Sequence, residues 1–271
     1  MVFVVSLAPY ARAADSSGPA SGSWTVPGPR LVAWGLSVNH RPSDPGSPEM
    51  RWGATPHVVV QWGRLTLSNG GTLASRSGEP AESGVTTELF SQDRIRVRAA
   101  LRLDEGRNSD EIPRLKGLHD VPPHLQGRLQ VSWRLHDRWE ALGAWRTDLA
   151  GRGAGDNLEA VLLHDWRPDF LDPRRWRVSA GVSGLWRGSR QANLVHGVDA
   201  ADAQRTPYPV YRLGAGWTDA RLFANWRRNL DGPWVAYGSV TAETLLGQAA
   251  DSPLTVKPRT LSFSVGLGRR F

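Results

Sequence analysis

Arginine carries nearly all the positive charge of this chain, and its spacing is the first chemical signal. Among 271 residues there are 33 Lys or Arg against 26 Asp or Glu, for a net charge of +7. Only Lys116 and Lys257 are lysines. Arg96, Arg98 and Arg102 stand at even intervals, as do Arg128 with Arg134, Arg177 with Arg187, and Arg221 with Arg227. Even spacing puts each set on one face of an extended segment. Guanidinium groups gathered on one face bind carboxylate or phosphate, or are neutralised by carboxylates from neighbouring strands. Arg146 belongs with them, and Glu88, Asp104, Glu140, Asp148, Glu159 and Glu243 are the acids placed to face them. Two readings stay open: a hydrated, ion-paired interior, or a small pore whose arginines draw anions.

Other groups suggest chemistry more weakly. His119 and His124 flank Val-Pro-Pro without Cys or a tight carboxylate cluster, so they read as a solvated loop pair rather than metal ligands. Ser252 follows Asp251, but no nucleophile, base and orienting group can be assembled from spacing. Asp251-Ser252-Pro253 reads as loop-shaping, with Asp and Ser bonding nearby backbone and Pro fixing a turn. No catalytic, cofactor or metal site is expected. A pI near 10.6 raises nucleic-acid binding. That use needs aromatics on the arginine face, whereas Trp mostly takes the opposite face, so no nucleic acid is expected.

The elements that must position these residues are strands. At the C-terminus Leu261, Phe263, Val265 and Leu267 alternate with Ser262, Ser264, Gly266 and Gly268, and the chain ends on Phe271. Period two over about ten residues is the pattern of a tilted strand crossing a bilayer. Alternation and turn residues predict eleven more strands, at 31–41, 55–62, 64–75, 84–91, 94–104, 124–135, 138–148, 156–166, 175–187, 215–228 and 234–246, with the last at 260–271. Connections alternate long and short, as in a barrel with short periplasmic turns and longer external loops. Trp62, Trp133, Trp139, Trp166, Trp176, Trp226 and Trp234 all lie beside the short turns, as a membrane-interface girdle would. Trp186 and Trp217 fall near the opposite rim.

The expected fold is therefore all-β: a closed antiparallel transmembrane barrel of about twelve strands in the outer membrane, in contact with its lipid. Arg96, Arg98, Arg102, Arg128, Arg134, Arg177, Arg221, Arg227, Glu140 and Glu243 then face the lumen, and Phe223 hints at partial plugging. Residues 1–14 carry an apolar run and a small-x-small pattern at Ala11-Arg12-Ala13, read as an export signal; with no basic stretch before the run, a true start further upstream is expected. Residues 15–30 read as a Ser/Gly/Pro-rich lead-in, leaving 31–271 for the barrel. Absence of Cys excludes a disulfide framework.

The segment 243–271, ETLLGQAADSPLTVKPRTLSFSVGLGRRF, resembles the ending of the MltA-interacting protein (MipA/OmpV) family of outer-membrane proteins. So do LKGLHD at 115–120 and the stretch from Val198 through Pro207 to the Leu-Gly-Ala-Gly that opens the tenth strand. The similarity runs over about residues 30–271. It singles out Leu115, Gly117, Leu118, Asp120, Asp251, Ser252 and Pro253 as family loop motifs and Phe271 as an assembly signal. It implies an outer-membrane barrel without catalysis. From the best-known member it also implies a scaffold for murein remodelling, with a lytic transglycosylase and a penicillin-binding synthase as partners. Other members are described as porin-like or adhesive, and a small channel for anionic or polar solutes is the alternative expectation.

Overall fold

The computed structural model describes residues 28–70, 73, 83–151 and 153–271. The expected export signal and nearly all of the lead-in lie outside the described residues. Twelve strands follow one another: β1 (Arg30–Pro42), β2 (Met50–Trp62), β3 (Leu65–Asn69), β4 (Ser83–Gln92), β5 (Ile95–Asp104), β6 (His124–His136), β7 (Trp139–Asp148), β8 (Asp156–Trp166), β9 (Trp176–Arg187), β10 (Gly216–Asn229), β11 (Trp234–Leu245) and β12 (Arg259–Arg270). Each pairs antiparallel with its sequence neighbours, and β1 pairs with β12 to close the barrel. Every strand therefore has a paired neighbour on both sides, as a sheet standing in lipid needs.

Alternation decides which side chain meets lipid. On β12, Leu261, Phe263, Val265 and Leu267 are exposed on the outside. Cross-strand neighbours continue the apolar surface: Leu267 pairs with Leu36 and Val265 with Val38 on β1. Inward positions are polar or packed, as with Ser37 and His57 on β1 and β2. His57 Nδ1 donates to the Gly70 carbonyl at 3.0 Å, so its Nε2 accepts from Ser37 Oγ at 2.8 Å. Two apolar clusters also sit inside. One is Leu142, Ala144, Val161, Leu163 and Phe223, and the other is Ala33, Val59, Leu73 and Tyr237. Small barrels fill their interior with side chains in this way.

Most strand limits fall within a residue or two of the alternation. β2 departs by beginning at Met50, because pairing with β1 runs on to Pro42↔Met50 and closes only at the Ser43 N–H to Glu49 carbonyl bond of 3.0 Å. The Pro and Ser around it had read as loop. β3 is shorter than expected. Asn69 bonds across to the Val58 N–H and the Pro56 carbonyl, and Gly70 at φ +85° turns the chain away. The stretch 188–215 holds two helices, α1 (Ser189–His196) and α2 (Ala200–Arg205), and 246–258 holds a third, α3 (Gly247–Ala250).

The start of β1 and the end of β12 lie with the short turns 63–64, 93–94, 137–138, 167–175 and 230–233. The connections 43–49, 105–123, 188–215 and 246–258 lie at the other end, as do the described residues of 149–155. By the usual orientation of bacterial barrels, the short turns face the periplasm and the longer connections face outward.

Candidate functional site

The lumen contains a cavity of about 850 Å³ in the half next to the short turns. Among the described residues seven guanidinium groups line it, from Arg64, Arg96, Arg98, Arg128, Arg177, Arg227 and Arg270, against a single carboxylate, Glu88. Strand register gathers them. Arg177 on β9 stands directly opposite Arg227 on β10. Arg270 on β12 is near enough for Arg177 to act on it electrostatically, and both act on Arg227. Ala33, Val59 and Leu73 of one apolar cluster form part of the wall.

The rest of the lumen treats arginine differently. Arg187 Nη1 meets Asp219 Oδ2 at 2.7 Å, with Asp219 fully enclosed. Arg221 lies 3.2 Å from Asp219 and 3.4 Å from Glu243. Arg146 bonds Glu159 and, at 3.0 Å, Asn157 Oδ1. Arg128, which also lines the cavity, reaches Glu159 at 3.6 Å, and Arg102 pairs with Asp104 at 2.9 Å. Buried charges persist only when paired and hydrogen-bonded, and these are.

Of the arginines expected in the lumen, Arg96, Arg98, Arg128, Arg177 and Arg227 meet at the cavity. Arg102, Arg221 and Glu243 stand in ion pairs away from it, and Arg134 lies opposite Glu140 across β6 and β7. Sequence reasoning missed Arg64, which sits in a two-residue turn with no alternation to read. Arg270 shares the inward face of β12 with Ser262 and Ser264, so its signal was available. Asp219 stands two residues before inward-facing Arg221, so its signal was available too. A bulge between Trp217 and Asp219 turns Thr218 inward as well, against the alternation.

At the opposite mouth four connections are joined into a cap. Arg114 of 105–123 bonds Asp44 and the Leu254 carbonyl. Tyr208 Oη donates to the Arg114 carbonyl at 2.9 Å. The Gly46 carbonyl accepts from both Val256 and Lys257. Beneath lies an apolar cluster of Leu115, Leu118, Val198 and Leu254. Helix α1 enters the mouth, since inward-facing Asn157 of β8 donates to Gln191 Oε1 at 2.6 Å.

The family loop residues build this cap. Leu115 and Leu118 supply its core, and Gly117 at φ +92° brings its Cα against the Arg205 carbonyl, where a Cβ would stand at 3.1 Å. Asp120 Oδ1 accepts from the Ser109 N–H at 2.8 Å. Ser252 Oγ accepts from Leu254 N–H, as a loop-shaping residue should, and donates to the His196 carbonyl of another loop at 2.6 Å. Asp251 ends α3 with its N–H on the Gly247 carbonyl, and Pro253 follows.

The two histidines are not a solvated pair. His124 is buried as the first residue of β6. His119 Nδ1 donates to Asp202 Oδ2 at 2.6 Å, while its N–H donates to Asp202 Oδ1 at 2.8 Å. Asp199 completes a cluster of possible ligand atoms within 4.8 Å. Its Oδ1 already caps α2 through the Asp202 N–H, and Arg205 takes Asp202 Oδ1 at 2.8 Å. This arrangement fits a latch between two loops better than a cation cage. Burial alone would raise the Asp202 carboxyl, but the His119 bond and charge and Arg205 outweigh it and hold the group below its ordinary value. His196, 1% exposed, is pushed down to about 3, first by burial and then by Arg187 and Arg107.

The seven tryptophans expected at one interface all lie in the short-turn half of their strands. Trp34 joins them, 5.9 Å from Trp234 in edge contact, and Trp176 is 5.9 Å from Trp226. Arg228 lies over Trp176 at 5.2 Å and Arg269 over the terminal Phe271 at 5.0 Å. An outward arginine at this level sends its charge toward the headgroups while its stem covers apolar surface. Trp52, Trp145, Trp186 and Trp217 lie at the capped rim.

No curated protein matches the chain in sequence. Among solved structures, a "KdgM porin" shares 7% identity over 89% of this chain and 99% of its own, with a TM-score of 0.38. OmpT of Vibrio cholerae shares 6% over 90% and 97%, with a TM-score of 0.36. A "CymD monoaromatic hydrocarbon channel" shares 10% over 89% and 88%, with a TM-score of 0.38. Scores this low carry no argument about what this chain does. The closed sheet, its apolar outer surface and its polar lumen make this an outer-membrane β-barrel. The model of the MltA-interacting protein MipA family matches residues 34–271, and the chain belongs to that family.

Proposed function

We propose that the chain is a non-catalytic outer-membrane scaffold. In this reading its periplasmic rim docks a lytic transglycosylase, and with it a penicillin-binding synthase, in murein remodelling. The family description, MltA-interacting protein, supports the first partner. The observation that carries the reading is the turn 167–175. Asp172 organises it, accepting from Arg175 N–H at 3.1 Å, Trp176 N–H at 2.8 Å and, through Oδ1, Arg174 N–H at 2.9 Å. The Arg175 carbonyl also accepts from the neighbouring Asn229 N–H at 2.8 Å. This fixed turn displays Phe170 at 79% exposure. A rigid aromatic among charges has the character of an interface anchor.

The test is capture of purified lytic transglycosylase by the detergent-held barrel. Phe170→Ala should weaken it at least about tenfold, or roughly 1.4 kcal/mol, while leaving the heat-dependent gel shift of the folded barrel intact. Equal capture by both proteins would remove the turn from the interface. The seven-arginine cavity favours the second reading, a channel for small anions. Planar bilayers separate the two. The scaffold reading expects no stable conductance steps, because apolar clusters and the cap fill the lumen on either side of the ion pairs. Stable, salt-dependent steps would favour the channel.

A further inference from the structure

We propose that the arginine-lined cavity is a binding site, reached from the periplasmic end, for a small polyanion bearing two or more phosphate or carboxylate groups. The inference stands apart from scaffolding and does not need it.

The lumen shows how this barrel neutralises arginine where neutralisation is built in. Arg187, Arg221, Arg146 and Arg102 each meet a carboxylate within 3.5 Å. In the cavity, Arg64, Arg96, Arg177 and Arg270 form no ion pair among the described residues. The described lining sets seven guanidiniums against one carboxylate. Arg177 directly opposite Arg227 is the arrangement that destabilises a strand pair, since like charges in register repel. An oxyanion between them turns that repulsion into two charge-assisted bonds, and guanidinium forks match phosphate and carboxylate geometry bidentately. Low-dielectric walls focus the field of one charge sign and raise the local concentration of the opposite ion.

Size and position define the ligand further. About 850 Å³ lies within the roughly 300–1,000 Å³ of small-molecule sites. Arg96 on β5 and Arg177 on β9 lie on different walls, so a ligand with separated anionic groups engages more of the lining than a single chloride does. The turn residues Gly63 and Arg64 mark the periplasmic lip, and Ala33, Val59 and Leu73 bring apolar cluster to its wall.

Isothermal titration of the refolded, detergent-held full chain tests this, with inorganic triphosphate and with citrate as separate probes. One saturable site for at least one probe is expected, weakening as salt is raised. The probe that binds tighter identifies phosphate or carboxylate as the preferred group. Arg177→Gln with Arg227→Gln should weaken binding at least about tenfold. Arg190→Gln with Arg212→Gln removes the same charge from exposed positions outside the cavity and should leave binding unchanged. If the double lumen variant fails the gel test of folding, Arg96→Gln takes its place. Absence of saturable binding by the parent protein, or equal weakening by both charge-matched variants, would overturn the proposal. Either result leaves transglycosylase capture through Phe170 as a separate question.

Discussion

His196 is the residue whose environment most constrains the cap. It is buried between Arg187 and Arg107, and its folded value near 3 lies below the ordinary 6.5. The folded cap therefore binds fewer protons than the opened one between those values. Stability is whole above about pH 6.5 and falls with pH below it, by up to about 1.4 kcal/mol per unit. Asp202, also held below its ordinary value, loses its contribution only at lower pH, as the carboxylate itself protonates. Hydrogen exchange at Val198 and Tyr211, which bond each other's carbonyls at 2.9 Å, checks this. After correction for intrinsic exchange, their protection should drop from about pH 7 to about pH 5. His196→Gln should flatten that slope. An unchanged slope in the variant would mean another group governs the cap.

Strands and cap differ in how far the sequence reveals them. A strand records its faces locally: Ser262, Ser264 and Gly266 alternate with Phe263, Val265 and Leu267, and lipid demands that pattern of every segment. The cap has no such local record. Helices α1 and α2 are too short to show an apolar period. Their positions depend on contacts such as His119 with Asp202 and Arg114 with Asp44, far apart in the chain. The N-cap at Asp199 was a local signal available for α2. Within the sheet, a bulge hid the inward turn of Thr218, whereas the even-spaced arginines could be followed to the cavity wall. Packing inside the barrel was equally hidden. Gly266 reads only as a small residue on the inward face, yet Tyr237 of β11 lies over it, and an added Cβ would stand 2.5 Å from the ring. Gly266→Ala should destabilise the barrel by about 1–3 kcal/mol, lowering the folded fraction on unboiled gels. Gly143→Ala, with open space at the same point, should leave it unchanged.

Across the whole molecule, charge is divided between the two ends of the lumen. The capped half matches arginines with carboxylates, and the open half accumulates the excess. A barrel built this way carries a standing repulsion when empty. Arg177→Gln should therefore stabilise the ligand-free protein slightly, by about 0.2–1 kcal/mol, read as a higher unfolding midpoint by tryptophan fluorescence. A lower midpoint would show that Arg177 is held by attractions rather than opposed by Arg227.

The stitched mouth matters to whatever meets the cell from outside. Four separate segments tied through Arg114, Gly46, Ser252 and Asp202 present one continuous relief instead of independent, mobile arms. An antibody or a phage tip would have to read that relief as a unit, and untying a single segment would erase the pattern for all of them.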